Sequence, residues 1–325
     1  MTIRNKYILP CSITEQILQY HSLSVVGLQK NTGKTETLNY ILTRLRECSV
    51  TLGLTSIGVD GEKKDICFGT EKPEIKLFEN DIFCTSEGFF SKKKIEAEIL
   101  EVSLEQSTFG RFIIARAKRN GTMILSGPPS TGRLKESLNR MRQFGAELCI
   151  VDGALSRLSL SSPAVTDAMI LTTGAAVANF IPEVVKKTKF VCDLIRLPVY
   201  QGVPDLILDS VLNFSFSDYA GLEQAQTVLL NGALTENFLK QLCKKNLKPD
   251  FKLIVQDFTK IFLHPMTLNL FYAQGGSLKV LQTPHLIAVT VNPVSPKGFV
   301  LNSTVLKEKL FETLQIPVYD VREMG

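Results

Sequence analysis

The sequence predicts an α/β protein: a mostly parallel sheet with helices on both faces, joined to a second, smaller α/β unit. Three observations predict it. Short apolar runs alternate with helix-patterned stretches over most of the 325 residues. A glycine–lysine–threonine triplet, Gly33-Lys34-Thr35, stands where the first apolar run hands over to the first helical pattern. A later apolar run, "ELCIVDG", ends in an aspartate, Asp152, as strands of such sheets do at their carboxyl edge.

The elements follow in order. Strands are expected at Leu23–Gly27, Val50–Ile57, Arg111–Ala115, Thr122–Leu125, Glu147–Val151 and Ala168–Leu171. Between them, 34–47 and 131–144 read as helices; in the first, Leu38, Ile41, Leu42 and Leu45 keep the spacing of one buried helical face. Past residue 195 the rhythm loosens through "RLPVYQGVPDLILDS". It resumes with "TVLLNGAL", a helix near 235–247, "FKLIVQD", "HLIAVTVNP", a helix near 304–314 and "IPVYDV". These runs predict a nucleotide-binding domain over 1–195, a linker over 196–222 and a C-terminal α/β domain over 223–325.

Composition excludes several classes. The chain is 44% hydrophobic and 21% charged, as ordinary globular domains are. A net charge of +5 over this length, with Lys92-Lys93-Lys94 as a short basic run, predicts no nucleic-acid partner. The seven cysteines form no C-x-x-C pair, so free thiols and a reducing cytoplasm are expected. No apolar run approaches the ~20 residues that cross a bilayer, and the N-terminus lacks the pattern of a secretory signal. His21, His264 and His285 are scattered and form no ligand motif.

The chemistry concentrates at "GLQKNTGKTETLN". The usual phosphate-binding loop is G-x-x-x-x-G-K-[ST]; here Gly27 precedes Gly33 by five intervening residues, one more than usual. The strand-to-helix setting still suits it, because unpaired N–H groups at a helix N-terminus bind anions. Gly27, Lys30, Asn31, Thr32, Gly33, Lys34, Thr35 and Glu36 are the candidate nucleotide-binding residues. Lys34 is assigned to the β- and γ-phosphates and the Thr35 hydroxyl to Mg²⁺. Glu36 would turn to solvent, where its charge favours the positive helix end.

Two aspartates are candidate metal ligands with Thr35. Asp152 ends its strand as a metal-holding aspartate does beside a phosphate loop. Asp60, in "TSIGVDGEKKD", follows the next strand; it is a candidate for Mg²⁺ or, with Lys34, for catalysis, and an ordinary Asp-Gly turn is the competing account. The "LSGPPSTGR" segment stops another strand at the same edge, with Ser130 or Thr131 placed to cap a helix and Arg133 in its first turn. No guanine-recognition signature is evident, which leans toward ATP over GTP.

The loop spacing resembles that of dethiobiotin synthetase and the signal-recognition, MinD and BioD class of phosphate-loop NTPases. Over nearly the whole chain, "GLQKNTGKTETLN", "GVDGEKKD", "LSGPPSTGRL", "IVDGALSR", "ILTTGAAV" and "VTVNPVSPKGF" resemble the phosphate-loop subunit of the lysine 5,6-aminomutase reactivase family. That resemblance implies an ATP-binding and ATP-hydrolysing reactivation chaperone. Its partners would be a MutS-like subunit and an adenosylcobalamin-dependent aminomutase whose damaged cobalamin is exchanged; a homo-oligomer is the further expected assembly. Glu36 departs from related loops, which often carry threonine there. The rival reading is a dethiobiotin-synthetase-like ligase using ATP to phosphorylate a small carboxylate or amine substrate.

Overall fold

The structure is a computed structural model, and it describes residues 13–56, 74–107, 109–154, 165–212, 221–245, 248–320 and 322–323. In chain order the elements are α1 (Ile13–Ile17), β1 (Ser22–Gly27), α2 (Lys34–Arg46), β2 (Leu52–Ser56), β3 (Ile75–Leu77), β4 (Ile82–Ser86), α3 (Glu87–Phe90), β5 (Ala97–Ser107), β6 (Gly110–Ala117), β7 (Gly121–Met123), α4 (Thr131–Gln143), β8 (Leu148–Ala154), β9 (Ala168–Gly174) and α5 (Ile181–Ile195). There follow β10 (Leu206–Leu208), β11 (Thr227–Leu230), β12 (Leu234–Thr235), α6 (Glu236–Leu242), β13 (Lys252–Val255), β14 (Ile261–Phe262), α7 (Pro265–Ala273), β15 (Ser277–Val280), β16 (His285–Asn292), α8 (Ser303–Leu314) and β17 (Val318–Tyr319).

The larger unit holds the described residues up to Thr188 together with those from His285 onward. Its nine-stranded sheet runs β17-β16-β9-β1-β8-β2-β4-β6-β5. The strands from β17 to β4 are parallel, and the β5–β6 hairpin closes one edge antiparallel to β4. Helices cover both faces. On one, α2 buries Leu38, Ile41, Leu42 and Leu45 against Leu23, Val25, Leu52, Leu54, Leu148 and Ile150. Each such side chain contributes roughly 1.5–3 kcal/mol by leaving water. On the other, α4 buries Leu134, Leu138 and Met141 against Ile82, Cys84, Cys149 and Val151. The alternation of β8 explains the split: Leu148 and Ile150 face α2, while Cys149 and Val151 face α4. The predicted mostly parallel sheet, covered on both faces, is therefore present.

The smaller unit spans Lys189–Pro284. It is built on a parallel four-stranded sheet, β10-β11-β13-β15, with a short β12–β14 pair beside it in sequence. This division differs from the expected one, 1–195 and 223–325 with a linker between. Two facts account for the difference. "LIL" at β10 lies within the expected linker yet pairs with β11. β16 and β17, expected in the C-terminal domain, return to the large sheet, where β16 lies parallel to β9. A run of alternating residues marks a strand; it does not state which sheet the strand joins.

Two expected strands also take different places. The 111–115 run lies in β6, antiparallel to β4, and the 122–125 run gives β7, which pairs antiparallel with β3 outside the large sheet. The described cysteines are free thiols, with Cys48 exposed and Cys84, Cys149, Cys192 and Cys243 buried. Burial pushes Cys84, Cys149 and Cys192 each up to about 12, so these thiols serve packing rather than reactivity. Among the described residues no helix is long and apolar enough to cross a membrane.

Candidate functional site: the loop after the central strand

β1 is the middle strand of the parallel run, held by β8 on one side and β9 on the other. All six of its residues are buried, so the chain leaves the sheet interior only after Gly27. The loop is then fastened to β9: Leu28 N–H donates to the Thr172 carbonyl at 2.9 Å. Thr32 Oγ1 donates to the Gln29 carbonyl at 3.0 Å and lies 2.8 Å from Thr172 Oγ1. A Cβ on Gly27 would stand 2.7 Å from Thr32 Oγ1, so this tight fold of the loop needs glycine there.

Asn31 and Gly33 both take the left-handed backbone conformation, with φ of 65° and 88°. Gly33 is the N-cap of α2, and no side chain caps the helix. The first intrahelical bond is Thr37 N–H to the Gly33 carbonyl, 2.9 Å. The first-turn amides of Lys34, Thr35 and Glu36 therefore precede the helical ladder at an end that no side chain serves, which is the arrangement that receives anions. Glu36 is exposed in this first turn, as expected, while Thr35 is half-buried beside Lys34.

Lys34 Nζ lies 2.7 Å from Asp152 Oδ1. The register explains the meeting: Asp152 sits opposite Val25 on the strand adjacent to β1, and its side chain emerges on the α2 face. Asp152 is only 8% exposed. The contact is ionic rather than directed, because no donor among the described residues is aligned on Oδ1. A buried carboxylate oxygen without an aligned donor is costly unless a cation serves it. Lys34 serves it here, and a bound metal ion would serve it as well.

The structure thus brings together Gly27, Asn31, Thr32, Gly33, Lys34, Thr35 and Asp152. Lys30 is exposed on the same loop. Asp60 lies outside the described residues. The "SGPPS" segment is anchored over β2 and β4, with Gly127 N–H donating to the Ser56 carbonyl at 2.8 Å and Ser126 N–H to Thr85 Oγ1 at 3.1 Å. Ser130 caps α4 through the Arg133 amide, and the Arg133 side chain is exposed. Among the described residues no group of three or more His, Cys, Asp or Glu side chains is placed to hold a metal. A site that shares its ion with phosphate oxygens needs only one or two carboxylates.

Sequence reasoning missed the residues that hold the loop from the far side. Thr172 on β9 pairs with Thr32. Thr290 on β16 lies 2.8 Å, hydroxyl to hydroxyl, from Thr37 of α2. Asn292, the last residue of β16, donates from Nδ2 to the Asn31 carbonyl at 3.3 Å. The signal present was Asn292-Pro293, a strand stop, but its place beside the loop depends on the pairing of β16 with β9.

No family model matches the chain. No curated protein matches it either. Among solved structures it is similar to pNOB8 ParA bound to nonspecific DNA, with 13% identity over 69% of this chain and 72% of that one, and a TM-score of 0.27. At that score the likeness carries no argument about this chain's fold or activity. The ParA structure is a DNA complex and so stands against the expectation of no nucleic-acid partner, which is not carried further. The physical reason is that a net charge summed over a whole chain does not describe the local patches that meet phosphates. What stands from geometry is a central parallel strand, a glycine-bounded turn and an uncapped helix whose first lysine meets an aspartate near the end of the adjacent strand.

Proposed function

We propose that the protein binds a nucleoside triphosphate with Mg²⁺ at the 27–36 loop and hydrolyses it. The observation that carries this reading is the 2.7 Å meeting of Lys34 with buried Asp152 beneath an uncapped helix start. The residues fit the groups. The loop amides and Lys34 suit phosphate oxygens, and the Asp152 carboxylate with the Thr35 hydroxyl forms the hard, oxygen-only donor set that Mg²⁺ prefers. Bound Mg²⁺ would neutralise charge developing on the transferred phosphoryl group. For the chain's own part, Lys34 exchanges its contact with Asp152 for the phosphates. That exchange bares the Asp152 oxygen for a cation, so binding of the anion and of the metal support one another.

The finer reading is an ATP-driven reactivation chaperone for an adenosylcobalamin-dependent aminomutase. Its support is the set of sequence segments that resemble the reactivase subunit, from "GLQKNTGKTETLN" to "VTVNPVSPKGF". In that reading hydrolysis serves as a conformational switch, since loss of the γ-phosphate releases the contacts that order neighbouring loops.

Calorimetric titration of the full chain with ATP, with and without Mg²⁺, tests the nucleotide reading. Tight Mg²⁺-dependent binding is expected, and heat changes no larger than those of dilution refute it. Turnover assays then test the switch. Hydrolysis of ATP without any small acceptor supports it, whereas hydrolysis strictly coupled to phosphorylation of a small carboxylate or amine makes the protein a ligase.

A further inference from the structure

We propose that Asn292 is a positioning residue for the phosphate loop, which makes the chain from His285 onward a working part of the nucleotide site rather than a separate docking module. The proposal rests on the nucleotide reading above and deepens it.

The loop holds two residues in the left-handed region, one of them the non-glycine Asn31. Glycine takes this conformation freely and asparagine at little cost, so contacts from outside the loop decide whether it is held there. Asn292 supplies those contacts from outside the loop. Its Nδ2 donates to the Asn31 carbonyl at 3.3 Å, at the residue whose φ is unusual. Its Oδ1 accepts from Val294 N–H at 3.1 Å, which fixes the end of the amide that faces the loop. Its Cβ stands 2.9 Å from where a Cβ on Gly33 would lie, so the asparagine also packs against the second left-handed residue.

The strand that carries it is itself anchored. The Asn292 carbonyl accepts from Ala175 N–H at 2.9 Å. A Cβ on Gly174 would come within 1.9 Å of that carbonyl oxygen, so β9 and β16 close on each other just there. Two residues back on the same strand face, Thr290 meets Thr37 at the start of α2. β16 therefore grips both the loop and the first turn of the helix, the two places whose N–H groups must already point at a phosphate before it arrives. Amides held in advance bind an anion without an ordering cost; released amides do not.

Two variants separate this role from mere packing. Asn292→Ala removes both side-chain contacts. Asn292→Asp keeps an acceptor for Val294, removes the donor to Asn31 and adds a negative charge, so its nucleotide-free hydrogen exchange reads the bracing and its affinity is read beside that of the uncharged Asn292→Ala. Hydrogen exchange on the full chain without nucleotide should show faster exchange of the 28–36 amides in both variants, with β1 and β8 amides unchanged. Mg²⁺·ATP affinity by calorimetry should fall about twofold to tenfold in both, as the loss of one ordering hydrogen bond implies. Melting temperature without nucleotide should stay close to the parent's for Asn292→Asp, which carries the test if the alanine variant does not fold. Parent-like loop exchange in Asn292→Asp overturns the proposal, as does parent-like affinity. Faster loop exchange in the variants, with a parent chain that binds no nucleotide, would leave the bracing in place and remove the nucleotide reading instead.

Discussion

Both units end a parallel sheet in a row of polar residues, and among the described residues only the larger unit's row leaves buried side-chain oxygens without aligned hydrogen-bond donors. In the smaller unit, β10, β11 and β13 are followed by Asp209, Asn231 and Gln256. These side chains satisfy each other in sequence: Asn231 Nδ2 donates to Asp209 Oδ1 at 3.0 Å, and Gln256 Nε2 to Asn231 Oδ1 at 3.2 Å. The next helix, α6, is capped by Thr235, whose hydroxyl accepts from Phe238 N–H at 3.3 Å. In the larger unit the corresponding turn ends in glycine, α2 has no side-chain cap, and Asp152 Oδ1 has no aligned donor among the described residues. The carboxyl edge of a parallel sheet is a favoured place for ligands. The comparison shows that position alone does not make a site. The strand-end groups must also be left open to a ligand rather than tied into a closed chain of hydrogen bonds.

The largest break in this contrast should come from Lys34→Ala. Removing the ammonium takes away a charge-assisted contact worth about 1.5–3 kcal/mol to a phosphate, so nucleotide affinity should fall by roughly tenfold to a hundredfold or more on titration. The same variant leaves Asp152 buried beside no cation, and its melting temperature should drop. Adding Asp152→Asn should restore part of that drop while abolishing the Mg²⁺ dependence of any remaining binding. A double variant no more stable than Lys34→Ala alone would show that the pair is not energetically coupled.

Gly33→Ala comes next. Its φ of 88° and the 2.9 Å approach to Asn292 Cβ both oppose a side chain. Strain of this kind costs about 1–3 kcal/mol, and the backbone relieves it by moving the loop amides. Thermal melting should show a modest loss of stability, and calorimetry a larger loss of nucleotide binding. Equal binding by this variant and the parent would mean that the left-handed turn is not what aims the amides.

How much of this was legible in the sequence follows from the range of the interactions involved. Gly27, Gly33, Lys34 and Thr35 lie within nine residues of one another, and Asp152 ends an apolar run; each signal is local, and the structure brings Lys34 and Asp152 together. The expected helices at 34–47 and 131–144 match α2 and α4 because their apolar spacing is helical and both pack on the sheet. The placement of β16 was not legible. "HLIAVTVN" reads as a strand in any sheet, and its partner β9 lies more than a hundred residues earlier, across the whole smaller unit. Asn292 and Thr290 were therefore invisible as loop contacts. β5 was missed for another reason: Glu98, Glu101 and Glu105 make "AEILEVSLEQS" look solvated, as suits a strand at the sheet's edge.

Asn231→Ala should sharpen the comparison from the other side. It breaks two exposed side-chain hydrogen bonds in the smaller unit, each worth about 0.5–1.5 kcal/mol at most, and leaves no buried group unmet. Urea unfolding should register a small loss, and Mg²⁺·ATP titration none. A clear change in nucleotide affinity would mean that the smaller unit's strand ends take part in the site after all.

The smallest expected effect is a pH dependence confined to the smaller unit. The Asp205 carboxylate accepts from the Gln226 and Thr227 amides, each at 2.9 Å, and these bonds hold its pKa below the ordinary value of 3.8. A carboxyl group whose folded pKa is depressed binds fewer protons folded than unfolded. Its contribution is therefore complete above 3.8 and is lost as pH falls from there through the depressed value. Protection of the Thr227 amide from hydrogen exchange, taken against its intrinsic rate at each pH, should fall over that acid window in the parent and be low throughout in Asp205→Ala, while the Lys34–Asp152 region of the larger unit responds the same way in both proteins. Because Asp205 is open to solvent, salt and water screen the effect, and it should stay well below that of any change at the 27–36 loop. An acid response at Thr227 that survives Asp205→Ala would assign it to another group.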